Sequence, residues 1–337
     1  MENQNLKNYR TILESKELPV FYDYIHVKRT FRIKPSIEHF MNDNISSYKV
    51  KKRMKYDKYK KEFVRDYRII YTVRPHLSFI QHWILNNILN KIPVSEPSHA
   101  FVKGKSLLTN AKEHSINGDN GWLLRLDITN FFESIEFNKV KKIFIEMGYS
   151  KGASQALAEL TTYNGRLRQG FPSSPTLSNI FLKDFDQKII NFIKKYEVEN
   201  LKYTRYADDL FFSGILITEN YQTVINSIKQ QVGYLLSKKK LRIKKAKTSF
   251  QTGKRKRITG LYIENGSIHV SKTYIKEIER ELFYCKKFGI ATHLRHCDKL
   301  DKMDFYKYFM GKCAFVKMVE PDIGSELIRQ FQELYDE

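Results

Sequence analysis

Two adjacent aspartates, Asp208 and Asp209, lie between two short apolar runs, and this feature limits the possible folds more than any other. The runs that flank the motif 206–209, at 203–205 and 210–212, contain aromatic and apolar side chains, which predicts a β-hairpin whose strands are buried on one face. Paired carboxylates beside a core are costly unless a cation neutralises them. An Asp-Asp pair in a turn usually lies in a solvated loop, but these flanks favour a buried hairpin that carries a cation site.

A third acid, Asp127, lies near the end of the apolar run 122–128, which predicts a buried strand. Such a strand can lie beside the hairpin, and three carboxylates would then converge and could hold two Mg²⁺ ions about 3.5–4 Å apart. Hard divalent cations prefer oxygen ligands, which carboxylates and substrate phosphates supply. One ion would lower the pKa of a primer hydroxyl, and the other would stabilise a pyrophosphate leaving group during in-line displacement.

The rest of the chain shows strand and helix patterns that together predict an α+β fold. Short β-branched and aromatic runs predict strands, and apolar residues at helical spacing predict helices with one buried face. The predicted strands are 67–73, 122–128, a pair within 202–213 and a hairpin within 258–270 that turns at 264–266. The predicted helices are short ones within 1–48, then 77–91, 176–196, 221–237 and all of the chain from Thr273 onward.

The chain carries a large excess of positive charge, with a formal net charge of +22 and a pI of about 9.6. An excess of this size predicts a polyanionic partner, and nucleic acid is favoured over an anionic membrane surface. Basic tracts at 49–61, 238–247 and 254–257 suit surfaces that follow phosphates, although the first could also be a solvated face or a loop.

The sequence has no apolar run of about 18 residues and no visible secretory signal, which predicts no membrane-spanning helix. Its three cysteines (Cys285, Cys297 and Cys313) cannot form a disulfide framework, which favours reduced thiols in a cytoplasm. His293 and His296 lie close to Cys297, but the Cys-x-x-Cys spacing of a zinc site is missing. An ordinary helix surface is therefore favoured over a zinc site.

Three motifs in a fixed order resemble the palm of reverse transcriptases. They are Asp127 followed five residues later by Phe132, the segment 168–175, and Tyr-Ala-Asp-Asp at 206–209. Further matches lie at 68–71, at 101–106 and at 247–248. The resemblance implies a right-hand polymerase fold with α+β fingers, a palm built on an antiparallel sheet with helices, and a helical thumb. The implied division is an N-terminal helical and basic segment at 1–60, fingers and palm at 61–270, and thumb at 271–337.

Two shorter strings resemble retron reverse transcriptases in particular. Residues 110–114, Asn-Ala-Lys-Glu-His, resemble their Asn-Ala-x-x-His segment. Residues 258–260, Ile-Thr-Gly, resemble their Val-Thr-Gly triplet, with isoleucine in place of valine. The short chain, without an added maturase or endonuclease region, agrees with this resemblance.

The resemblance assigns the functional residues by position. The three aspartates are the expected catalytic residues, and the expected metal-binding positions are Asp127, Ile128, Asp208 and Asp209. The expected nucleotide-binding residues are Arg68, Lys103, Phe132, Gln169, Gly170 and Lys247. The expected RNA-binding residues are Asn110, His114, Lys254, Arg255, Lys256, Arg257, Thr259 and Gly260.

Some of these assignments carry a physical reason. An aromatic ring at Phe132 would stack under the sugar and exclude a 2′-hydroxyl, while Phe131 is the expected core residue. Cations at Arg68 and Lys103 would bind the triphosphate, and Lys247 would protonate pyrophosphate. The segment before 176–196 has an alternative interpretation as a plain helix entry capped by Ser173 or Ser174.

The resemblance implies RNA-templated DNA synthesis from deoxynucleoside triphosphates with two Mg²⁺ ions. A retron enzyme would bind its own structured noncoding RNA and the RNA–DNA hybrid, and would start DNA from a 2′-hydroxyl of an internal guanosine. Its branched RNA-linked single-stranded DNA (msDNA) would serve antiviral defence against phages, together with a separate effector protein. Two alternatives stay open: another bacterial reverse transcriptase of the group II intron or defence-associated type, and a non-catalytic RNA-binding protein on a polymerase fold.

Overall fold

The computed structural model describes residues 4–51, 54–57, 62–64, 67–116, 121–196, 198, 200–215, 221–296 and 305–336. Its helices are α1 (Gln4–Glu14), α2 (Tyr24–Thr30), α3 (Ile37–Asn44), α4 (Pro75–Asn87), α5 (Leu107–Glu113), α6 (Phe137–Met147), α7 (Lys151–Thr161), α8 (Ser174–Ile193), α9 (Tyr221–Lys238), α10 (Lys272–Phe288), α11 (Ile290–His296), α12 (Phe305–Val319) and α13 (Pro321–Asp336). Its strands are β1 (Ile45–Lys51), β2 (Lys55–Asp57), β3 (Glu62–Val64), β4 (Tyr67–Val73), β5 (Gly121–Asp127), β6 (Lys202–Tyr206), β7 (Asp209–Ile215), β8 (Ser249–Gln251), β9 (Arg255–Ile258), β10 (Leu261–Glu264) and β11 (Ser267–His269).

A four-stranded antiparallel sheet in the order β6-β7-β5-β8 forms the centre of the fold. Because successive residues of a strand point to opposite faces, β5 contributes two sets of side chains. Trp122, Leu124 and Leu126 pack into a first core, whereas Leu123 packs into a second core on the opposite face. Asp127 alternates with Leu126 and therefore shares the face of Leu123, on the side away from the first core.

The first core lies between the central sheet and the helices of the N-terminal and middle parts of the chain. It contains side chains from α1 to α4 and from α6 to α9. Helix α8 shows why these segments are helical, since Leu177, Phe181, Phe185 and Ile189 recur at helical spacing and are all buried. Burial of this stripe fixes α8 beneath the sheet.

The second core joins a separate three-stranded antiparallel sheet, β11-β10-β9, to the C-terminal helices. Ile258, Leu261 and Ile263 of this sheet are buried with residues of α10, α12 and α13. The rings of Phe309 and Phe331 stack there with their centroids 4.0 Å apart. Helix α5 also enters this core, so the C-terminal region packs on the sheet face that carries Asp127.

The predicted α+β class and the main predicted elements are confirmed. Strand 67–73 is β4, which pairs with β1, and the hairpin within 202–213 is β6 and β7. The turn at 264–266 joins β10 to β11. The domain limits at residues 60 and 270 stay a prediction, and part of the basic tract 49–61 lies outside the described residues.

Two other expectations concern membranes and zinc. Within the described ranges, no helix is long and apolar enough to cross a membrane. Cys297 lies outside the described residues, so the expectation about its surroundings stays open. The expectation of a helix surface is wrong for His293, which is 7% exposed and stacks on Tyr284 with ring centroids 5.8 Å apart.

Candidate active site

The hairpin of β6 and β7 carries the two adjacent acids at its turn. Ala207 has a φ of +56°, a left-handed conformation that residues with a Cβ atom seldom adopt. Across the hairpin Tyr206 lies opposite Asp209, and Asp209 lies opposite Asp127 on β5. Because opposed residues of an antiparallel pair have Cβ atoms about 5 Å apart, the register brings the acids of β5 and β7 together.

Burial makes this end of the sheet unfavourable for negative charge. Asp127 is only 2% exposed. Burial raises the pKa of Asp208 above its usual value, and the charge of Asp127 raises it further. Burial also raises the pKa of Asp209 to about 6, although the guanidinium of Arg125 acts in the opposite direction. Three acids in such surroundings favour the binding of a cation.

Two cationic side chains already contact these acids. Arg125 donates from Nε and Nη2 to the two carboxylate oxygens of Asp209, each at 2.9 Å. Lys247 Nζ donates to Asp127 Oδ2 at 2.5 Å. The role of Arg125 was not predicted; its one sign in the sequence is its position two residues before Asp127, which places both on one face of β5.

The oxygen donors of this site fit a hard divalent cation such as Mg²⁺. Among the described residues, however, no three His, Cys, Asp or Glu side chains form a ready metal-binding group. Asp127 and Asp209 are instead paired with Lys247 and Arg125, so a metal ion would compete with these two cations for the carboxylate oxygens. Ile128 can offer only its backbone carbonyl, because its side chain is apolar and buried. Carboxylates bind metal as anions, and burial raises the pKa of Asp209 to about 6. We therefore expect metal affinity to increase as the pH rises through that value.

A buried ion pair anchors the hairpin from the side of α8. Arg205 and Asp186 are both fully buried, with Arg205 Nη2 at 2.7 Å from Asp186 Oδ2. The Tyr203 hydroxyl donates to Asp186 Oδ1 at 2.7 Å, and Arg205 Nη1 donates to Asn179 Oδ1 at 2.8 Å. Arg205 Nη1 also lies 3.4 Å from the carbonyl of Ala207 in the turn. No sequence pattern predicted this pair, because α8 carries several charged residues and only the fold shows that Asp186 faces the hairpin.

The segment 168–171 packs closely against β4. The Tyr71 amide donates to the Gln169 carbonyl at 3.0 Å, and the Arg168 guanidinium lies 5.0 Å from the centre of the Tyr71 ring. Gly170 has a φ of +102°, and a Cβ atom there would lie 2.0 Å from the Tyr71 carbonyl oxygen. The close approach therefore requires glycine at position 170.

The alternative of a plain capped helix entry is not supported by the side chains. Ser173 is the N-cap residue of α8 but makes no capping hydrogen bond with its side chain. In the described part of the chain, the hydroxyls of Ser173 and Ser174 are buried without a hydrogen-bond partner. The segment is held by its contacts with β4 rather than by a serine cap.

We expect Gly170→Ala to lower the free energy of unfolding by more than about 2 kcal/mol, because it adds a backbone clash to an unfavourable φ. Gly165→Ala is the matched control, since Gly165 has a φ of +71° but no atom within 4 Å of an added Cβ. Chemical denaturation of both variants separates the clash from the cost of φ alone. Equal losses in the two variants would contradict the close packing of Gly170.

The remaining nucleotide-binding predictions fall on accessible positions. Phe131 is 4% exposed in the first core, as expected, whereas Phe132 is half-buried with its ring centroid 5.5 Å from that of Phe131. Arg68 on β4 and Lys103 in the loop before α5 are exposed. Their side chains can therefore reach a ligand, and the roles assigned to them stay predictions.

The basic tract 254–257 does not present all its charges on one surface. Lys254, Arg255 and Arg257 are exposed, but Lys256 is 2% exposed and donates to the Gly253 carbonyl at 2.7 Å. The prediction that Lys256 contacts RNA is therefore wrong in this structure, because alternate residues of β9 point inward.

The two residues after this tract form a tight turn between β9 and β10. Thr259 and Gly260 have φ values of +44° and +88°, and Ile258 pairs with Leu261 across them. Thr259 is half-buried and Gly260 is exposed, so both remain accessible for the predicted RNA contact. Positive φ is unfavourable for a β-branched residue, which marks Thr259 as a position under backbone strain.

The expected RNA-binding residues of α5 are inside the protein. Asn110 is 0% exposed and His114 is 1% exposed. The Thr204 hydroxyl donates to Asn110, and His114 contacts Thr204 and Ser213 of the hairpin strands. Their side chains cannot touch RNA in this conformation, so that prediction is corrected: sequence alone did not show that this polar helix face meets the sheet.

Proteins of known family that resemble this chain are reverse transcriptases, which agrees with the carboxylate site described above. A family model described as reverse transcriptase (RNA-dependent DNA polymerase) matches residues 51–276. The retron Ec86 reverse transcriptase of Escherichia coli is 32% identical over 232 residues, which cover 68% of this chain and 69% of that protein. The retron Mx65 reverse transcriptase of Myxococcus xanthus is 27% identical over 284 residues, covering 78% of this chain and 61% of that protein.

A third relative, the retron Ec73 reverse transcriptase of Escherichia coli, is 28% identical over 278 residues, covering 79% of this chain and 84% of that protein. The chain therefore belongs to the reverse transcriptase family and, within it, to the retron reverse transcriptases. This membership confirms the predicted right-hand polymerase fold and the predicted RNA-directed DNA polymerase activity.

Proposed function

We propose that this polymerase copies a structured noncoding RNA of its own system into branched, RNA-linked single-stranded DNA (msDNA). The observation that carries the proposal is the register that places Asp127 opposite Asp209 at the tip of the hairpin, in a chain that belongs to the retron enzymes. DNA synthesis starts from a 2′-hydroxyl of an internal guanosine in that RNA. The product serves antiviral defence against phages, together with a separate effector protein.

The reaction joins deoxynucleoside triphosphates to the growing strand. Two Mg²⁺ ions, when bound, would activate the attacking hydroxyl and stabilise the leaving pyrophosphate. Asp127, Asp208 and Asp209 provide the oxygen ligands. Lys247, which already lies at the edge of this site, donates a proton to pyrophosphate. Arg68 and Lys103 are exposed cations that bind the triphosphate.

The test is to express the enzyme with its own flanking DNA and to sequence the nucleic acid that copurifies with it. We expect single-stranded DNA covalently joined to RNA, and none from an Asp209→Asn variant. Synthesis only from added primers, with no RNA-linked DNA, would favour another type of bacterial reverse transcriptase. Absence of any DNA synthesis would favour the non-catalytic RNA-binding alternative.

Replacement of Phe132 tests sugar selection. We expect Phe132→Ala to lower discrimination against ribonucleotides by at least about tenfold, because loss of the ring opens space beside the 2′ carbon. Primer extension with paired ribonucleotide and deoxyribonucleotide substrates measures this. Phe79→Ala, at a phenylalanine that is 64% exposed on α4, is the control. Unchanged discrimination in Phe132→Ala would show that the sugar is selected elsewhere.

The outward face of β9 is the part of the basic tract that can bind RNA phosphates. We expect Arg255→Gln with Arg257→Gln to weaken RNA binding and to reduce the slope of log affinity against log salt by about 2. The matched control is Lys256→Gln, because buried Lys256 should affect stability but not the salt slope. Equal slopes in the double variant and the wild type would remove β9 from the RNA surface.

A further inference from the structure

Helix α5 lies on the same face of the central sheet as the catalytic acids. Thr204 of β6 lies opposite Phe211 of β7, and Phe211 shares its face of β7 with Asp209 and Ser213. The His114 ring, at the end of α5, lies 6.1 Å from the ring of Phe211. The acids therefore occupy one end of this face, and α5 covers the other.

A chain of hydrogen bonds joins α5 to both strands of the hairpin. His114 Nδ1 lies 2.7 Å from Ser213 Oγ, and His114 Nε2 lies 2.7 Å from Thr204 Oγ1. Thr204 Oγ1 donates to Asn110 Oδ1 at 2.6 Å. All four side chains are buried. One imidazole ring thus contacts β6 and β7 at once, at positions two and four residue pairs along the hairpin from the pair that contains Asp209.

The donor and acceptor of each hydrogen bond in this network follow from the chemistry of the four side chains. Burial lowers the pKa of His114 to about 3, so the ring is neutral and has one donor and one acceptor nitrogen. The Thr204 hydroxyl donates its only proton to Asn110, so in its contact with His114 it must accept, and the donor is an Nε2–H of His114. Nδ1 then accepts from the Ser213 hydroxyl. With Asn110 Oδ1 facing Thr204, the network permits one tautomer of His114 and one orientation of each hydroxyl.

The opposite side of α5 is attached to the second sheet. Thr259 Oγ1 lies 3.4 Å from the Leu107 carbonyl at the start of α5, and Ser115 Oγ contacts the Gly266 carbonyl. Ala111 is buried in the second core with Leu261. The two retron-like strings, 110–114 and 258–260, thus meet at one helix instead of forming two separate surfaces.

We propose that Asn110 and His114 are positioning residues that set β6 and β7, and with them Asp208 and Asp209, relative to β9–β11. The amide nitrogen of Asn110 supports this: within the described residues it is buried without a hydrogen-bond partner. A buried donor without a partner costs free energy, so the segment is not optimised for stability alone. The proposal concerns the polymerase activity of the family and does not depend on the identity of a cognate RNA.

The test uses primer extension on an unrelated template, so it is independent of cognate RNA recognition. Thr204→Val removes the hydroxyl that joins His114 to Asn110 and keeps the shape, and we expect kcat to fall about tenfold or more while KM for the nucleotide changes less than about twofold. Thr204→Ser, which restores a hydroxyl, should recover kcat to within about threefold. Thr30→Val, at an exposed threonine of α2, is the control and should leave kcat unchanged.

A second readout does not depend on activity. In ¹⁵N NMR of histidine-labelled protein, we expect the His114 signals of the wild type to show a neutral Nε2–H tautomer down to pH 5. Thr204→Val should mix the two tautomers, whereas Thr30→Val should not. A His114 that titrates near its ordinary pKa would overturn the proposal. So would a Thr204→Val protein that loses stability but keeps the kcat of its folded fraction, because that result describes a purely structural role.

Discussion

Replacement of Asp208 or Asp209 by asparagine is expected to abolish DNA synthesis while the protein stays folded. Each change removes an anionic oxygen ligand from the proposed metal site, and a loss of about 4 kcal/mol of transition-state stabilisation corresponds to about a thousandfold in rate. Burial and the neighbouring Asp127 raise the pKa of Asp208, so its charge is unfavourable without a cation. Asp208→Asn should therefore be at least as stable as the wild type in the absence of metal, although it is inactive.

Two measurements on the same samples test this expectation. Primer extension with Mg²⁺ gives the loss of rate, and chemical denaturation in the presence of a chelator gives the stability. Asp184→Asn is the matched control, because Asp184 is an exposed aspartate of α8 paired with Lys188 at 2.9 Å. Full activity in either hairpin variant would remove the metal-binding role. A large loss of stability in Asp208→Asn would show that its charge is satisfied in some other way.

Removal of one partner of the Arg205–Asp186 pair is expected to give the largest loss of stability. Arg205→Met leaves the carboxylate of Asp186 buried without its main cation, and such losses are about 3–5 kcal/mol. The double variant, Arg205→Met with Asp186→Leu, removes both charges and should recover most of that stability. It should not recover activity, because the contact from Arg205 to the Ala207 carbonyl in the turn is also lost.

The control for this prediction is a solvent-exposed ion pair on the protein surface. Arg329 contacts Glu326 at 2.6 Å on α13, with 59% of the Arg329 side chain exposed. Arg329→Met should cost far less stability than Arg205→Met, because solvent screens the attraction. Chemical denaturation of the three variants gives the comparison. If Arg205→Met costs no more than Arg329→Met, the buried pair does not anchor the hairpin.

The arrangement around β6 explains why these changes act on the same site. Alternate residues of this strand point to opposite faces, so Arg205 is held by α8 and Thr204 is held by α5. The turn with Asp208 and Asp209 extends beyond both contacts. A hairpin fixed from two sides can present closely spaced acids in a strained turn, which is consistent with the left-handed conformation of Ala207.

Local sequence patterns were enough to predict the central strands and helices of the site and its main acids. Strand 67–73 agrees with the observed β4, and the Asp-Asp hairpin and the helix beneath it lie within a few residues of their predicted limits. These features could be predicted because apolar periodicity and turn residues act over a few neighbouring positions. The distinction between buried Phe131 and half-buried Phe132 was also predicted correctly.

Two features depend on the packing of distant segments: which side of each element is buried, and which residue pairs with each charged side chain. Lys256 lies within a run of four cations but points into the core, because pairing with β10 fixes the face of β9. Asn110 and His114 are polar yet buried, because their partners come from strands about 90 residues later in the chain. The pairing of Arg125 with Asp209 depends in the same way on strand register, since electrostatic and hydrogen-bond partners are chosen by spatial distance and not by sequence separation.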